Sequence, residues 1–316
     1  MTNKLKPNWT GDDLLSRFVN LLIQTKPIYQ VMKRQARQVM IKTAEKNGVH
    51  WRQTYQELES SGAKGLLSDI TNPSVGYPDY YRKPFHAYEE GDLCWQAAFE
   101  AIPATYVRAL RVWPQENLSG ESAYERLLGN FYQVLDEYSP SLVKDVLDMG
   151  CSVGMLTFPL HRYYCQRQKT KVRTVGLDLS PYMLAVAKTV DVNGDISEWI
   201  HANAEKTGLP ENSFDVVTLK SVLHHLPRHA TRNVFQEALR VLRPGGCLAI
   251  FDQDPRSPVL QNLPPALFVL LKSTEPWLDD YHTFDVEAAM QEVGFQYKTT
   301  VASDPRHRAI VGIKPS

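Results

Sequence analysis

The stretch "VLDMGCSVGMLTF", residues 146–158, offers two kinds of chemistry. Read as Gly150-Cys151-Ser152-Val153-Gly154, it matches G-x-S-x-G, the pattern that sets a nucleophilic serine on a sharp strand-to-helix turn. Read as an apolar strand ending at Asp148 and running into a glycine turn, it is a loop that cradles a nucleotide-like ligand. Gly150 and Gly154 would let backbone approach that ligand, and the next helix would offer free N–H groups. A second carboxylate favours the loop. Asp178 ends the next apolar run, in "TVGLDLSP", where it can accept both hydroxyls of a ribose. Ser180 and Pro181 already supply a helix cap and first turn there, so Asp178 is not needed for that job.

A serine elbow also needs a sheet before it and a glycine-type oxyanion loop upstream. Residues 1–140 read as mainly helical, and the Gly245-Gly246 pair lies far downstream. The loop is not the G-x-G-x-x-G of dinucleotide dehydrogenases either. Ser152 is therefore read as a ligand-loop residue. A serine esterase using Ser152 is the rival enzyme, and a non-catalytic ligand-binding protein is the rival outside enzymology.

The elements that must position these residues fall into two parts. Between residues 11 and 139 the apolar spacing is helical: "DDLLSRFVNLLIQ" behind Thr10, "PIYQVMKRQARQVMIKTAEKNG", "VHWRQTYQELESSG", "LCWQAAFEAIPATYVRALRVW" with a break or kink expected at Pro103, and "SGESAYERLLGNFYQVLDEYSP" capped by Ser119. Residues 71–93, rich in Pro and Tyr, read as irregular. From 144 onward, short apolar runs alternate with helical patterns: "DVLDMG", "KVRTVGLD", "FDVVTLKS" and "GCLAIFD" are the expected strands. Such alternation predicts an α/β fold with a doubly wound, mostly parallel sheet. The end, "FQYKTTVASDPRHRAIVGIKP", reads as an antiparallel hairpin turning near Pro305. Residues 1–116 are thus a helical extension that can serve as a substrate lid, and residues 117–316 the ligand-binding domain.

Lys plus Arg equals Asp plus Glu at 35 each, so no global field collects nucleic acid, and none is expected as partner. The four cysteines, Cys94, Cys151, Cys165 and Cys247, are scattered, with no His near them at metal-ligand spacing. That pattern predicts reduced thiols in the cytoplasm and assigns no residue to a metal. The start "MTNKLKPNWTGDD" shows no apolar signal core.

The series "VLDMGCSVG", "VGLDLSPYMLAVA", "ANAEKTGLPENSFDVV", "VLHHL" and "ALRVLRPGGCLAIFD" resembles the class I S-adenosylmethionine-dependent methyltransferases, particularly their quinone and small-molecule branch. The resemblance covers roughly residues 144–252 and continues more faintly through "FDVEAAMQEVGF" to the end. It implies a Rossmann-like fold, S-adenosyl-L-methionine as cofactor and a small or lipophilic acceptor. It further implies that Asp148, Gly150, Cys151, Ser152 and Gly154 line the methionine and ribose part of the cofactor. Asp178 would hold the ribose, with Leu179 and Met183 packing nearby. Asn203 and Ala204 would flank the adenine, and Lys220 and Ser221 would border the methionine end. Two residues depart from the family pattern. Ser152 replaces the usual middle glycine, and Asn203 stands where an acid is common, though its amide oxygen can still accept from the adenine amino group.

Where the acceptor must lose a proton, His225 is the expected base in preference to its neighbour His224, and Asp252 can contact substrate or cap the next turn. Two segments can cover the acceptor: residues 255–283, and "YPDYYRKPFHAYEEGDLCW", whose Tyr77, Tyr80, Tyr81, Phe85, Tyr88 and Trp95 suit an aromatic acceptor or a sulfonium, or else dock the extension. The second helix carries Lys33, Arg34, Arg37, Lys42 and Lys46 beside Ile28, Val31, Met32, Val39, Met40 and Ile41. It reads either as a solvated basic face or as a peripheral membrane contact.

Overall fold

The computed structural model describes residues 14–84, 86 and 88–316, apart from the side chains of residues 20, 26–29, 36 and 265. Thr10, Phe85 and the Ile28 side chain, each given a role above, lie outside the described residues. The helices α1 (Leu14–Gln24), α2 (Lys26–Lys46), α3 (Trp51–Glu59), α4 (Ala63–Ile70), α5 (Trp95–Leu110) and α6 (Gly120–Tyr138) precede the first strand. The chain then alternates through β1 (Asp145–Met149), α7 (Thr157–Gln168), β2 (Arg173–Asp178), α8 (Pro181–Val190), β3 (Glu198–His201), β4 (Phe214–Lys220), α9 (Arg228–Val241) and β5 (Leu242–Gln253). Helices α10 (Pro258–Gln261), α11 (Pro265–Thr274) and α12 (Leu278–His282) follow β5, and α13 (Val286–Val293) leads into β6 (Gln296–Ala302) and β7 (His307–Ile313).

The strands form one sheet in the order β3-β2-β1-β4-β5-β7-β6. Neighbours from β3 to β5 are parallel, whereas β7 runs antiparallel to both β5 and β6. The strand order reverses between β1 and β4, the switch point at which doubly wound sheets bind ligands. Apolar side chains leave both faces. Leu147, Leu177, Val217 and Ile250 pack with Val234 and Phe235 of α9 and Met290 of α13, while Val146, Val216, Ala249 and Val311 pack with Phe131 of α6 and Leu160 of α7.

Local signals set most boundaries. Ser119 Oγ accepts from Ser122 N–H at 3.1 Å to start α6, and Ser180 Oγ accepts from Met183 N–H at 3.3 Å to start α8. The terminal hairpin forms as expected. Pro103 does not break α5, which runs unbroken past it. A mid-helix proline costs ~3 kcal/mol, but Phe99 and Val107 on the same helix are buried, and tertiary packing holds the helix together. Helix α4 and strand β3 have no counterpart in the sequence reading. Each is short, and "EWIH" alternates too little to read as a strand until it pairs beside β2.

The helical extension packs directly on the sheet domain. Phe99 of α5 shares a cluster with Val153, Met183 and Val186, and Ile70 of α4 meets Cys151 and Leu184.

Candidate functional site

The loop after β1 turns through left-handed backbone at Gly150 (φ 72°), Ser152 (φ 52°) and Gly154 (φ 84°). Two of these positions demand glycine for packing as well. A Cβ on Gly150 would come within 2.6 Å of Val222, and one on Gly154 within 2.6 Å of Phe158 and 2.8 Å of Trp199. Ser152 occupies a left-handed position without glycine, at a cost of about 1–2 kcal/mol. Its backbone N–H compensates by donating to Asp178 Oδ2 at 2.7 Å.

Asp178 is buried at the end of β2, and Ser180 N–H donates to its other oxygen at 2.8 Å. Burial pushes its carboxyl up to about 7 against the two backbone donors, with Asp92 and Asp148 adding to the rise. A carboxylate has about four lone-pair sites, so two backbone donors leave room for two ligand hydroxyls. Asp148 lies beneath the loop, where Thr157 Oγ1 donates to Oδ2 at 2.7 Å and Thr218 Oγ1 to Oδ1 at 2.9 Å. It ties β1 to β4 and to the start of α7, and burial raises it to about 6.

The remaining expected residues gather around the same strand ends. Met183 Sδ lies 3.4 Å from Ser152 Oγ. The Cys151 side chain turns away from the loop face into the cluster of Ile70, Leu184 and Ala185, so only its main chain can reach a ligand. Leu179 is buried, and its carbonyl accepts from His201 Nε2 at 3.1 Å. Asn203 Oδ1 accepts from Glu205 N–H at 2.8 Å, which occupies one of its two lone pairs, and Ala204 packs partly buried beside it. Lys220 lies over the Tyr124 ring, 5.1 Å from its centroid, and burial and Arg108 bring its ammonium down to about 8. Ser221, also left-handed at φ 56°, donates its N–H to Phe251 O at 2.7 Å.

The two histidines after β4 point into different surroundings. His224 Nδ1 donates to Asp252 Oδ1 at 2.6 Å, while Leu223 N–H donates to Asp252 Oδ2 at 2.9 Å and Gln253 N–H to Oδ1 at 2.7 Å. Fully buried, Asp252 positions the turn after β4. Burial alone would raise it, but His224 and the backbone donor outweigh that and hold it low. His225 faces Glu275 instead, with Nδ1 3.0 Å from Oε2. Burial, then the neighbouring His224, pushes its imidazole down to about 4. At neutral pH His225 is an uncharged ring held against a carboxylate.

Ser152 Oγ meets Met183, and among the described residues no imidazole hydrogen-bonds to it. The arrangement that a serine nucleophile requires is missing there.

The N-terminal extension roofs the strand ends. Tyr77 Oη lies 3.2 Å from His201 Nε2, Tyr80 donates to Glu205 Oε1 at 2.6 Å, Tyr88 donates to Glu100 Oε2 at 2.6 Å, and Trp95 stacks on Phe99 with centroids 5.3 Å apart. Tyr77 and Tyr80 dock the extension on the sheet domain, as does Trp95 through the Tyr182 ring at 5.1 Å, whereas Tyr88 ties the extension to itself. Tyr81 stacks on Tyr77 at 6.3 Å, and burial beside Asp178 and Asp92 holds its phenol well above the ordinary value. Ser180 Oγ donates to Asp92 O at 2.6 Å, joining roof to floor. The segment after β5 meets the roof where Trp277 Nε1 donates to Tyr80 O at 3.3 Å. His86, Asp92 and Glu275 went unassigned in the sequence. All lie within segments that were singled out as covers, but no local spacing connects them.

Of the five α2 cations named above, Arg37 hydrogen-bonds through Nε to buried Glu100 at 3.1 Å and Lys33 pairs with Glu89, while Ile41 is buried against Ala44 and Trp51. Arg34, Lys42 and Lys46 remain exposed. An open cavity of about 440 Å³ lies on the far flank of Gly154, between α5, α6 and the start of α7. It touches the loop only at Val153, Gly154 and Met155 and reaches neither Asp148 nor Asp178. The hydrogen-bonding groups that suit a nucleoside-like ligand, Asp178 and the loop after β1 among them, stand under the roof instead.

Residues 147–250 match the family described as a methyltransferase domain. The chain is 30% identical over 179 residues to an uncharacterized methyltransferase of Synechocystis sp., covering 57% of this chain and 76% of that one. It is 36% identical over 102 residues to the demethylmenaquinone methyltransferase of Oceanobacillus iheyensis, spanning 32% of this chain and 40% of that protein. Among solved structures, an S-adenosylmethionine-dependent methyltransferase from Aquifex aeolicus is 19% identical with a TM-score of 0.44, covering 58% of this chain and 89% of that one.

Proposed function

The chain belongs to the class I S-adenosylmethionine-dependent methyltransferases, and from that premise we propose that it methylates a small, lipophilic organic acceptor held between the sheet and the helical extension. Its cofactor is S-adenosylmethionine, which supplies an electrophilic methyl group on a sulfonium when bound. The residues fit that group. Asp178 would accept the ribose hydroxyls through the lone pairs that Ser152 and Ser180 leave free. The Gly150–Gly154 loop, Leu179 and Met183 would border the ribose and methionine, with Asp148 bracing the loop from below. Asn203 and Ala204 would flank the adenine, and Lys220 and Ser221 the methionine end. The main task of the protein is then to hold the acceptor in line and exclude water, which can supply roughly 7–11 kcal/mol.

The acceptor reading is carried by the roof, in which Tyr80 meets Trp277 and Tyr77 stacks on Tyr81 above the strand ends. The name of the Oceanobacillus relative gives a quinone-type acceptor independent support. Incubation with S-adenosylmethionine and a panel of demethylated quinols, phenols, amines, a peptide and an RNA tests it. S-adenosylhomocysteine should form with the quinols or phenols, and turnover on the peptide or RNA alone would overturn the reading.

A lipophilic acceptor would arrive from a bilayer, and α1 offers the contact. Leu14 is 85% exposed, and Leu15, Phe18 and Leu21 are more than half exposed, on the same helix as the exposed cation Arg17. An apolar helix face with a basic neighbour suits an anionic lipid surface.

A further inference from the structure

His86, His225 and Glu275 come from three distant segments: the roof, the turn after β4, and the stretch between α11 and α12. One ligand atom from each lies within 4.8 Å of the others. His86 Nε2 is 3.2 Å from Glu275 Oε1, and His225 Nδ1 is 3.0 Å from Glu275 Oε2. Two ligands bonded at ~2.0–2.1 Å to a tetrahedral ion stand roughly 3.3 Å apart, so the two His–Glu distances already lie close to those of a shared ion. We propose that these three side chains form a binding site for a divalent transition-metal ion of the zinc class, at the acceptor end of the cofactor site.

The donor set selects the ion. Two imidazoles and a carboxylate suit zinc or iron, whereas magnesium and calcium prefer all-oxygen ligands. Three protein ligands also leave a position for water or an acceptor oxygen, as in catalytic zinc sites. A supporting shell is in place. His86 Nδ1, the nitrogen directed away from Glu275, lies 3.5 Å from Asp92 Oδ1, in the carboxylate–histidine arrangement that orients metal ligands. His86 N–H donates to Thr274 O at 3.0 Å, fixing the roof beside Glu275. Glu275 is buried, and its two carboxylate oxygens face one imidazole each.

The site stands on these side chains alone; its part in orienting the acceptor rests on the function proposed above. The test uses the full chain, stripped with chelator and titrated with Co²⁺ by visible absorption and with Zn²⁺ by calorimetry. Stoichiometric binding with the intense bands of tetrahedral cobalt is expected. It should weaken at least tenfold in Glu275→Gln and in His86→Asn, and about 10- to 100-fold in Asp92→Asn. S-adenosylmethionine affinity, measured on the same samples, reports that each variant is folded and that the cofactor reading stands. Absence of the cobalt bands, or Zn²⁺ binding unchanged in both ligand variants, would overturn the metal site whatever the cofactor result. Should Glu275→Gln fail to fold, His86→Asn, in the roof loop, decides alone.

Discussion

Asp178 brings two opposed pH effects into one residue. Its folded carboxyl sits near 7, above the unfolded value, because burial disfavours the charge. The ionised group therefore costs stability, and that cost grows as pH rises from the ordinary carboxylate range toward 7. Ligand binding has the opposite sign, since ribose hydroxyls donate best to a carboxylate. Affinity for S-adenosylmethionine should fall about tenfold from near pH 8 to pH 6, with Asp148, near 6, steepening the loss below that. Asp178→Asn should bind about 10- to 100-fold more weakly, the loss of a charge-assisted hydrogen bond, and its affinity should no longer change across this range. Calorimetry at the two pH values checks this, and an unchanged slope in the variant would assign the titration elsewhere. Asp178 was legible because a carboxylate ending an apolar run has few other jobs. The state of His225 was not legible, because it depends on Glu275, fifty residues away in the chain, and on burial that no local pattern encodes.

At the scale of elements, the extension is held by polar clamps as much as by apolar packing. Glu100, buried in α5, accepts from Arg37 of α2 and from Tyr88 of the roof. Removing one partner of a buried pair costs about 3–5 kcal/mol, and the partial exposure of Arg37 places this case at the low end. Arg37→Ala should lower the melting temperature and speed hydrogen exchange across residues 72–95, where the roof lies. Exchange confined to α2 would mean that the roof is held independently of it. The helical pattern of α2 and α5 could be read from spacing. That the cations of α2 serve as clamps could not, since a basic face looks the same whether it meets solvent, lipid or a buried glutamate.

For the whole molecule, the even charge gives no long-range attraction to a membrane, so docking would depend on the apolar face of α1. None of the described helices is long and apolar enough to cross a membrane. The full chain should co-sediment with anionic liposomes at low salt, and Phe18→Glu should abolish this. No binding by the unmodified chain would remove the membrane contact, and self-association through the same face would instead appear as a concentration-dependent dimer.

By itself the sequence determined the alternating α/β domain, the glycine loop with its two carboxylates and the antiparallel end. Each is written in local spacing, whether an apolar run closed by turn residues, a cap before a proline, or glycines at left-handed positions. Tertiary structure alone decided which neighbours those groups meet. It placed a strand as short as β3 at the sheet edge, carried α5 unbroken through Pro103 and seated the roof over Asp178. It also brought one ligand atom each of His86, His225 and Glu275 within 4.8 Å of one another. Side chains from segments fifty or more residues apart meet only when the core has packed, and that proximity leaves no periodic trace in the chain.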